Sequence, residues 1–319
     1  MKLCYTMPLV LLWALLGYEQ VYAQTPPYWG TIFIEPNIIT SDDPSTLEGI
    51  TYLGQGMKTV FDRRVNNWVN INAYLFTVMW NDGLTSEAVI NPEFTLAEAI
   101  AETGKYGFLI GQLPYVLRTD VNEIWIHKGV QPFGGGNYSI LIHTGQSTLY
   151  ENDGIIEETL VHEASHTSLD FYHATTTGWL SAQNSDNLFI STYAMNYPNS
   201  EDIAESFLTW LAVRYKSSVI SAANYDIITA SIPNRLSYFD NQNFNMSPVT
   251  SCPAPPLITG LLNSCTNNTQ TYSVPPIAGS MYVWTVTGGN ILSGQNTPQI
   301  TVQWLGNTAG TVSIMQTTP

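Results

Sequence analysis

The stretch Leu160-Val161-His162-Glu163-Ala164-Ser165-His166-Thr167 constrains this chain more than any other. In a helix, residues four apart lie on one face, one turn from each other. His162 and His166 then point the same way, and two imidazoles so placed can reach one tetrahedral Zn²⁺. Glu163 between them can serve as general base toward a water on that ion, which implies a zinc-dependent hydrolase. With 5 His in 319 residues, a chance H-E-x-x-H is expected in roughly 3 per thousand such chains. The bland alternative is a helix that carries two histidines by accident. The chemical reading demands a third protein ligand from elsewhere in the chain.

Several residues compete for that place. His173 sits 11 positions after His162. Sites that take a third histidine from this region need a glycine turn at 169 and the ligand at 172, where this chain has Leu169 and Tyr172. Asp170 continues the i, i+4, i+8 series but falls about 12 Å along the helix from His162, too far to share one ion with both histidines. It is expected to cap the helix end or to orient a neighbour. The better candidate is downstream, in Tyr193-Ala194-Met195-Asn196-Tyr197-Pro198-Asn199-Ser200-Glu201-Asp202-Ile203-Ala204-Glu205. Glu201 can ligate zinc, and Glu205, one turn on, can accept the free N–H of a ligand histidine. The exchange of those two roles stays open. So does a plain solvated helix start, where acids favour the dipole.

This pairing of H-E-x-x-H with a later glutamate and a second acid four residues on resembles the glutamate-ligand zinc peptidases, the gluzincins. The resemblance implies His162, His166 and Glu201 as ligands, Glu163 as base and Glu205 behind the ligands. It also implies a tyrosine ahead of the glutamate helix as donor to the oxyanion, Tyr193 first and Tyr197 second. It covers roughly residues 28–215 and implies an α+β zincin-like domain with a mixed sheet, an active-site helix and a glutamate helix. The stretches Trp125-Ile126-His127-Lys128-Gly129 and Gln131-Pro132-Phe133-Gly134-Gly135-Gly136 resemble secreted bacterial zincin-like proteins.

The local patterns place these motifs. Residues 28–39 predict one or two short strands. Residues 70–90 predict a hairpin turning at Asn81-Asp82-Gly83. A helix is expected over 92–103, capped by Asn91, with Gly104 and Gly107 breaking it. Strands are expected at 122–127 and 138–143, with a turn at Gly134-Gly135-Gly136. The active helix is expected over 154–169, capped by Asn152 or Asp153, with Ile156, Leu160 and Ala164 as its buried stripe. Residues 171–200 look irregular, and an amphipathic helix follows from 200 to 215. His143 could line a substrate cleft, though a strand-end polar residue is the commoner case. Glu158 is expected to be solvated. Trp179, Trp210 and Trp304 are expected to pack.

Composition shifts at Pro248. Cys252-Pro253-Ala254-Pro255-Pro256 predicts a stiff linker over 249–256. Residues 257–319 carry almost no charge and show short alternating runs at 271–274, 282–286, 299–304 and 311–314. Such runs predict a small all-β immunoglobulin-like sandwich. Tyr272-Ser273-Val274-Pro275, Tyr282-Val283-Trp284-Thr285-Val286, Gly288-Gly289 and Ile300-Thr301-Val302-Gln303-Trp304 make it resemble a PKD-like domain of exported bacterial proteins. The resemblance implies a spacer or an adhesion unit with cell-surface or polysaccharide contact. No sorting domain follows, so the chain is expected to be a shortened form of a longer architecture.

Charge and targeting narrow the function class. A net charge of −15 argues against nucleic acid and against anionic membrane surfaces as partners. It also leans toward basic or neutral substrates. Lys2 followed by the apolar run Pro8–Gly17 and Val21-Tyr22-Ala23 predicts a signal peptide over 1–23, and the run is too short to span a bilayer. A secreted, periplasmic or surface location follows, with no transmembrane segment in the mature chain. There Cys252 and Cys265 can close a disulfide. The expectation is a secreted zinc metallopeptidase acting on a peptide or protein substrate. Its rival is a non-catalytic surface binding or adhesion protein with a degenerate zincin-like domain.

Overall fold

A computed structural model describes residues 25–249 apart from 32, 34 and 187, and residues 258–317 apart from 262–267, 278–279 and 306–308. The predicted signal peptide, nearly all of the linker, and Cys252 and Cys265 lie outside the described residues. The chain divides into two compact units, Met1–Thr250 and Ser251–Pro319.

The first unit is mixed α/β. Its strands are β1 (Leu47–Asp62), β2 (Asn67–Trp80), β3 (Thr85–Ile90), β4 (Glu123–His127), β5 (Gly134–Gly136) and β6 (Ser139–His143). They form one sheet in the order β1-β2-β3-β4-β6-β5. Three antiparallel strands at one side give way to parallel β3-β4-β6, and β5 runs antiparallel at the far edge. The parallel strands are buried on both faces, which is why Glu-Ile-Trp-Ile-His and Ser-Ile-Leu-Ile-His read as apolar runs without alternation. The Asn81-Asp82-Gly83 turn falls where its sequence places it. Gly83 adopts φ 89°, a value glycine reaches without a Cβ clash.

Ten helices cover this sheet: α1 (Leu96–Gly111), α2 (Tyr115–Arg118), α3 (Thr144–Asp153), α4 (Ile156–Ser168), α5 (Asp170–His173), α6 (Thr177–Asp186), α7 (Thr192–Asn196), α8 (Asp202–Tyr215), α9 (Ala222–Ser231) and α10 (Pro233–Asp240), all among the described residues. The main core lies between one sheet face and these helices, with Val78, Ile126, Ile142, Leu160, Ala164, Phe207 and Leu211 all buried. The opposite sheet face carries a smaller cluster around Val60, Ala73, Val89, Trp125 and Leu141.

Several expectations are corrected. Residues 28–39 form no strand among those described, only a bridge from Tyr28 to Ser191. The 16-residue β1 was not anticipated: Gly54 and Gly56 interrupt its alternation, and bulges near Gly49 and Gly54 shift its register against β2. Helix α1 is capped by Thr95 in a capping box with Glu98, not by Asn91. Nor do Gly104 and Gly107 end it. A Cβ at Gly107 would meet Leu47 and Val78 at 3.2 and 3.1 Å, so the missing side chain lets α1 lie close on the sheet.

The Gly134–Gly136 stretch is an edge strand, not a turn. The segment before the helix that carries His162 and His166 is a separate helix, α3, which Gly154 ends with φ 68°. Helix α4 then starts at Ile156 with no side-chain cap, so Asn152 and Asp153 do not cap it. The 171–200 stretch holds three short helices, α5, α6 and α7. The Ile156, Leu160, Ala164 stripe is buried as expected, and Trp179 and Trp210 are core residues.

The second unit is all-β: β7 (Thr269–Ser273), β8 (Met281–Thr287), β9 (Gly289–Ser293), β10 (Gln299–Trp304) and β11 (Thr311–Thr317). A three-stranded sheet β7-β10-β9 and a two-stranded sheet β11-β8 share a core of Tyr272, Val274, Tyr282, Trp284, Ile300 and Val302, with Trp304 packed against it. Strand β9 escaped notice because Gly289 and Asn290 break its alternation. No described helix of the chain is long and apolar enough to cross a membrane.

Candidate metal centre

Helix α4 brings His162 and His166 to one face, and α8 packs beside it. Glu201 stands at the N-cap of α8. That end is anchored by a buried ion cluster: Arg235 Nε donates to Asp202 at 2.9 Å, and Arg235 Nη1 donates to Asp186 at 3.0 Å. All three side chains are fully buried.

The anchor fixes Glu201 opposite the two imidazoles. Its Oε2 lies 3.4 Å from His162 Nε2 and 3.1 Å from His166 Nε2. The two Nε2 atoms are 3.1 Å apart. A tetrahedral ion with bonds of about 2.0–2.1 Å has edges of about 3.3–3.4 Å, close to this triangle. Three electron-rich atoms this near each other require a cation or protons between them. The same tendency appears in His166. Burial opposes its charge, but hydrogen bonds to Asp170 and Glu201 prevail and raise its pKa to about 10. Burial raises Glu201, yet His162 and His166 outweigh it and hold the carboxyl well below its usual range. His162, His166 and Glu201 could therefore hold a metal ion.

The far nitrogens of both rings meet carboxylates. His166 Nδ1 lies 2.8 Å from Asp170 Oδ2, and His162 Nδ1 lies 3.4 Å from Glu205 Oε1. The Asp170 hydrogen bond favours the His166 tautomer that leaves Nε2 free, and Glu205 faces His162 Nδ1 at ion-pair distance. Ser191 holds Glu205 in turn, donating to its Oε2 at 2.6 Å while capping α7. Asp170 thus orients a neighbour. His173 is elsewhere: it contacts Tyr238 at 2.7 Å and packs against Phe244.

A cleft of about 470 Å³ opens over the three residues. Glu163 and Tyr193 line it, together with Phe33, Arg63, Phe133, Tyr150 and Gly135. Burial and the neighbouring Glu201 push the Tyr193 hydroxyl up to about 12, so it keeps its proton at neutral pH. Tyr197 packs edge-on against Tyr193 but is over half exposed and does not line the cleft. Gly135 places β5 directly on α4. A Cβ there would sit 1.9 Å from the Glu163 carbonyl oxygen. Thr167 ties the two together, accepting from Gly136 N–H at 2.8 Å and donating to the Ser139 carbonyl at 2.9 Å.

Of two further polar residues, His143 keeps to its commoner reading as a strand-end residue and Glu158 departs from expectation. His143 does not reach the cleft: it is fully buried, stacks on His127 and contacts the Lys128 carbonyl at 3.1 Å. Glu158 is not solvated. The chain at Ile39 crosses over it, donates a backbone N–H to it at 2.9 Å and buries it completely, and burial raises its pKa to about 7. Sequence reasoning passed over Arg63 and Tyr150 because they enter from the β1–β2 turn and from α3, with no local motif to mark them.

Comparison with known proteins bears on the second unit. No curated protein and no solved structure matches the chain. The model of the PKD-like domain matches residues 251–318, so the chain carries a PKD-like domain there.

Proposed function

We propose that the chain is an exported zinc-dependent hydrolase, a metallopeptidase that cleaves peptide bonds, built on a zincin-like first unit. The observation that carries this reading is the triangle of His162, His166 and Glu201 atoms at 3.1–3.4 Å, in one cleft with Glu163. Two nitrogens and one oxygen form a donor set suited to zinc with a position left open. Zinc, when bound, supplies Lewis-acid polarisation of a carbonyl and lowers the pKa of water.

The protein's own groups do the rest. Glu163, at the cleft wall, takes the proton of the attacking water and returns it to the leaving amine. Tyr193 keeps its proton and donates to the developing oxyanion. Asp170 and Glu205 hold the imidazoles in their ligating tautomers. The cleft of about 470 Å³ would take a short stretch of peptide, which Phe33 and Phe133 would contact through apolar side chains. The PKD-like domain is given no chemistry; its place in this reading is that of a spacer or surface-binding unit.

The test is hydrolysis of a degenerate mixture of short peptides by the full chain, read by mass spectrometry, beside Glu163→Gln. The substitution keeps shape and removes the base, so cleavage should fall by about 10²–10⁴-fold. Equal cleavage by the variant would sink the mechanism.

A further inference from the structure

The chain has 10 Lys and Arg, and Lys2 lies outside the described residues. Eight of the other nine form ion pairs with carboxylates within 4.0 Å: Lys58, Arg64, Lys105, Arg118, Lys128, Arg214, Lys216 and Arg235. Arg63 is the exception among the described residues. Its sequence neighbour explains why. Arg64 binds Asp62 through Nε and Nη2 at 3.0 and 2.7 Å and reaches Glu93 at 2.7 Å, so the nearby acids are taken.

The unpaired guanidinium is not on an indifferent surface. It lies over Gly134, where a Cβ would come within 2.8 Å of Nη2. It lines the cleft that holds Glu163 and the three metal-site residues, and a second cleft of about 220 Å³ beyond β5 with Trp68 and Trp125. The Tyr150 hydroxyl registers both ends of this arrangement. Burial and Glu163 raise its pKa, and Arg63 lowers it.

We propose that Arg63 is a specificity residue that pairs with a carboxylate of the bound peptide, making this an enzyme for acidic substrates. The inference rests on the hydrolase reading above. The net charge of −15 pointed the other way, but attraction at contact is set by the nearest unpaired charge, because distant charges are screened over about 8 Å at physiological salt. A planar guanidinium matches a carboxylate with two parallel N–H donors, which a lysine cannot do. The carboxylate can belong to an Asp or Glu side chain or to the peptide's C-terminus.

The experiment uses the full chain and a short peptide that the wild type cleaves from the degenerate mixture. The peptide is remade with Glu or Gln beside the scissile bond, and with a free or amidated C-terminus. The wild type should favour the carboxylate-bearing form by about tenfold in kcat/KM, a typical value for a charged hydrogen bond. The gain should sit mainly in KM and shrink with added salt. Arg63→Ala should erase the ratio and Arg63→Lys should keep part of it. The pair that shows the ratio identifies which carboxylate is read. A wild type that cleaves all forms alike, or a ratio that survives in Arg63→Ala, overturns the proposal and leaves the hydrolase reading standing. No cleavage by the wild type, or full cleavage by Glu163→Gln, overturns both.

Discussion

Two acids, the fully buried Glu158 on α4 and the half-buried Asp170 just beyond it, meet different fates, and partners decide which. Asp170 faces His166 at 2.8 Å and is spent on orienting that ring. Glu158 accepts the Ile39 backbone N–H at 2.9 Å and has no cation partner among the described residues. Burial lifts its pKa from 4.5 to about 7. A folded value above the unfolded one means that the folded state binds the proton more tightly. The stability this confers is complete below pH 4.5 and is lost as pH rises through 7. Glu158→Gln keeps an oxygen for the Ile39 N–H and removes the ionisation. The variant should be more stable than wild type at pH 8, by on the order of 2 kcal/mol, and equal to it at pH 4.5. Parallel stability curves across that range, measured by urea unfolding, would contradict the assignment. At this scale helical spacing exposed His162, Glu163 and His166 as one set and Glu201 and Glu205 as another, while the meeting of the two sets on α4 and α8 is tertiary and was suggested only by the resemblance. Arg63, Tyr150 and the burial of Glu158 arise from segments far apart in the chain, which no local spacing reveals.

Among the elements, the contact of β5 with α4 shapes the cleft wall. Gly135 has no room for a side chain against the Glu163 carbonyl. Gly135→Ala should push the edge strand off the helix, lower the melting temperature and reduce cleavage more than it reduces metal content. An alanine variant with wild-type activity and melting would show that β5 does not set the position of Glu163. The triple glycine was readable as an interruption but not as a strand. Its pairing with β6 is tertiary, and glycine carries no alternation to betray it. The hairpin β2–β3 was legible from its apolar runs around Asn81-Asp82-Gly83, the strands β4 and β6 from their apolar runs, and helix α8 from its helical apolar spacing. Helix α1 was misplaced because its glycines resemble breakers until the sheet they pack on is known.

For the whole molecule, the division at Thr250 separates the candidate metal centre from the PKD-like domain. Ligands that bind only the folded state raise its stability by mass action. Calorimetry of the full chain should therefore show two transitions, and zinc added to chelated protein should raise only one of them. A shift of both, or of neither, would contradict separate units with the metal in the first. The sandwich was legible as a class from its low charge and recurring short runs, and the composition shift at Pro248 marked its start.

His162, His166 and Glu201 are proposed to converge on one metal ion. The most direct test is zinc stoichiometry of the purified full chain after dialysis, wild type beside Glu201→Ala. About one zinc per chain is expected in the wild type, and loss or marked weakening in the variant, since of the three residues proposed to hold the ion only two imidazoles would remain. A wild type that takes up no zinc even when it is added back would rule out a zinc site at these three residues. Full retention by Glu201→Ala would remove Glu201 from the site.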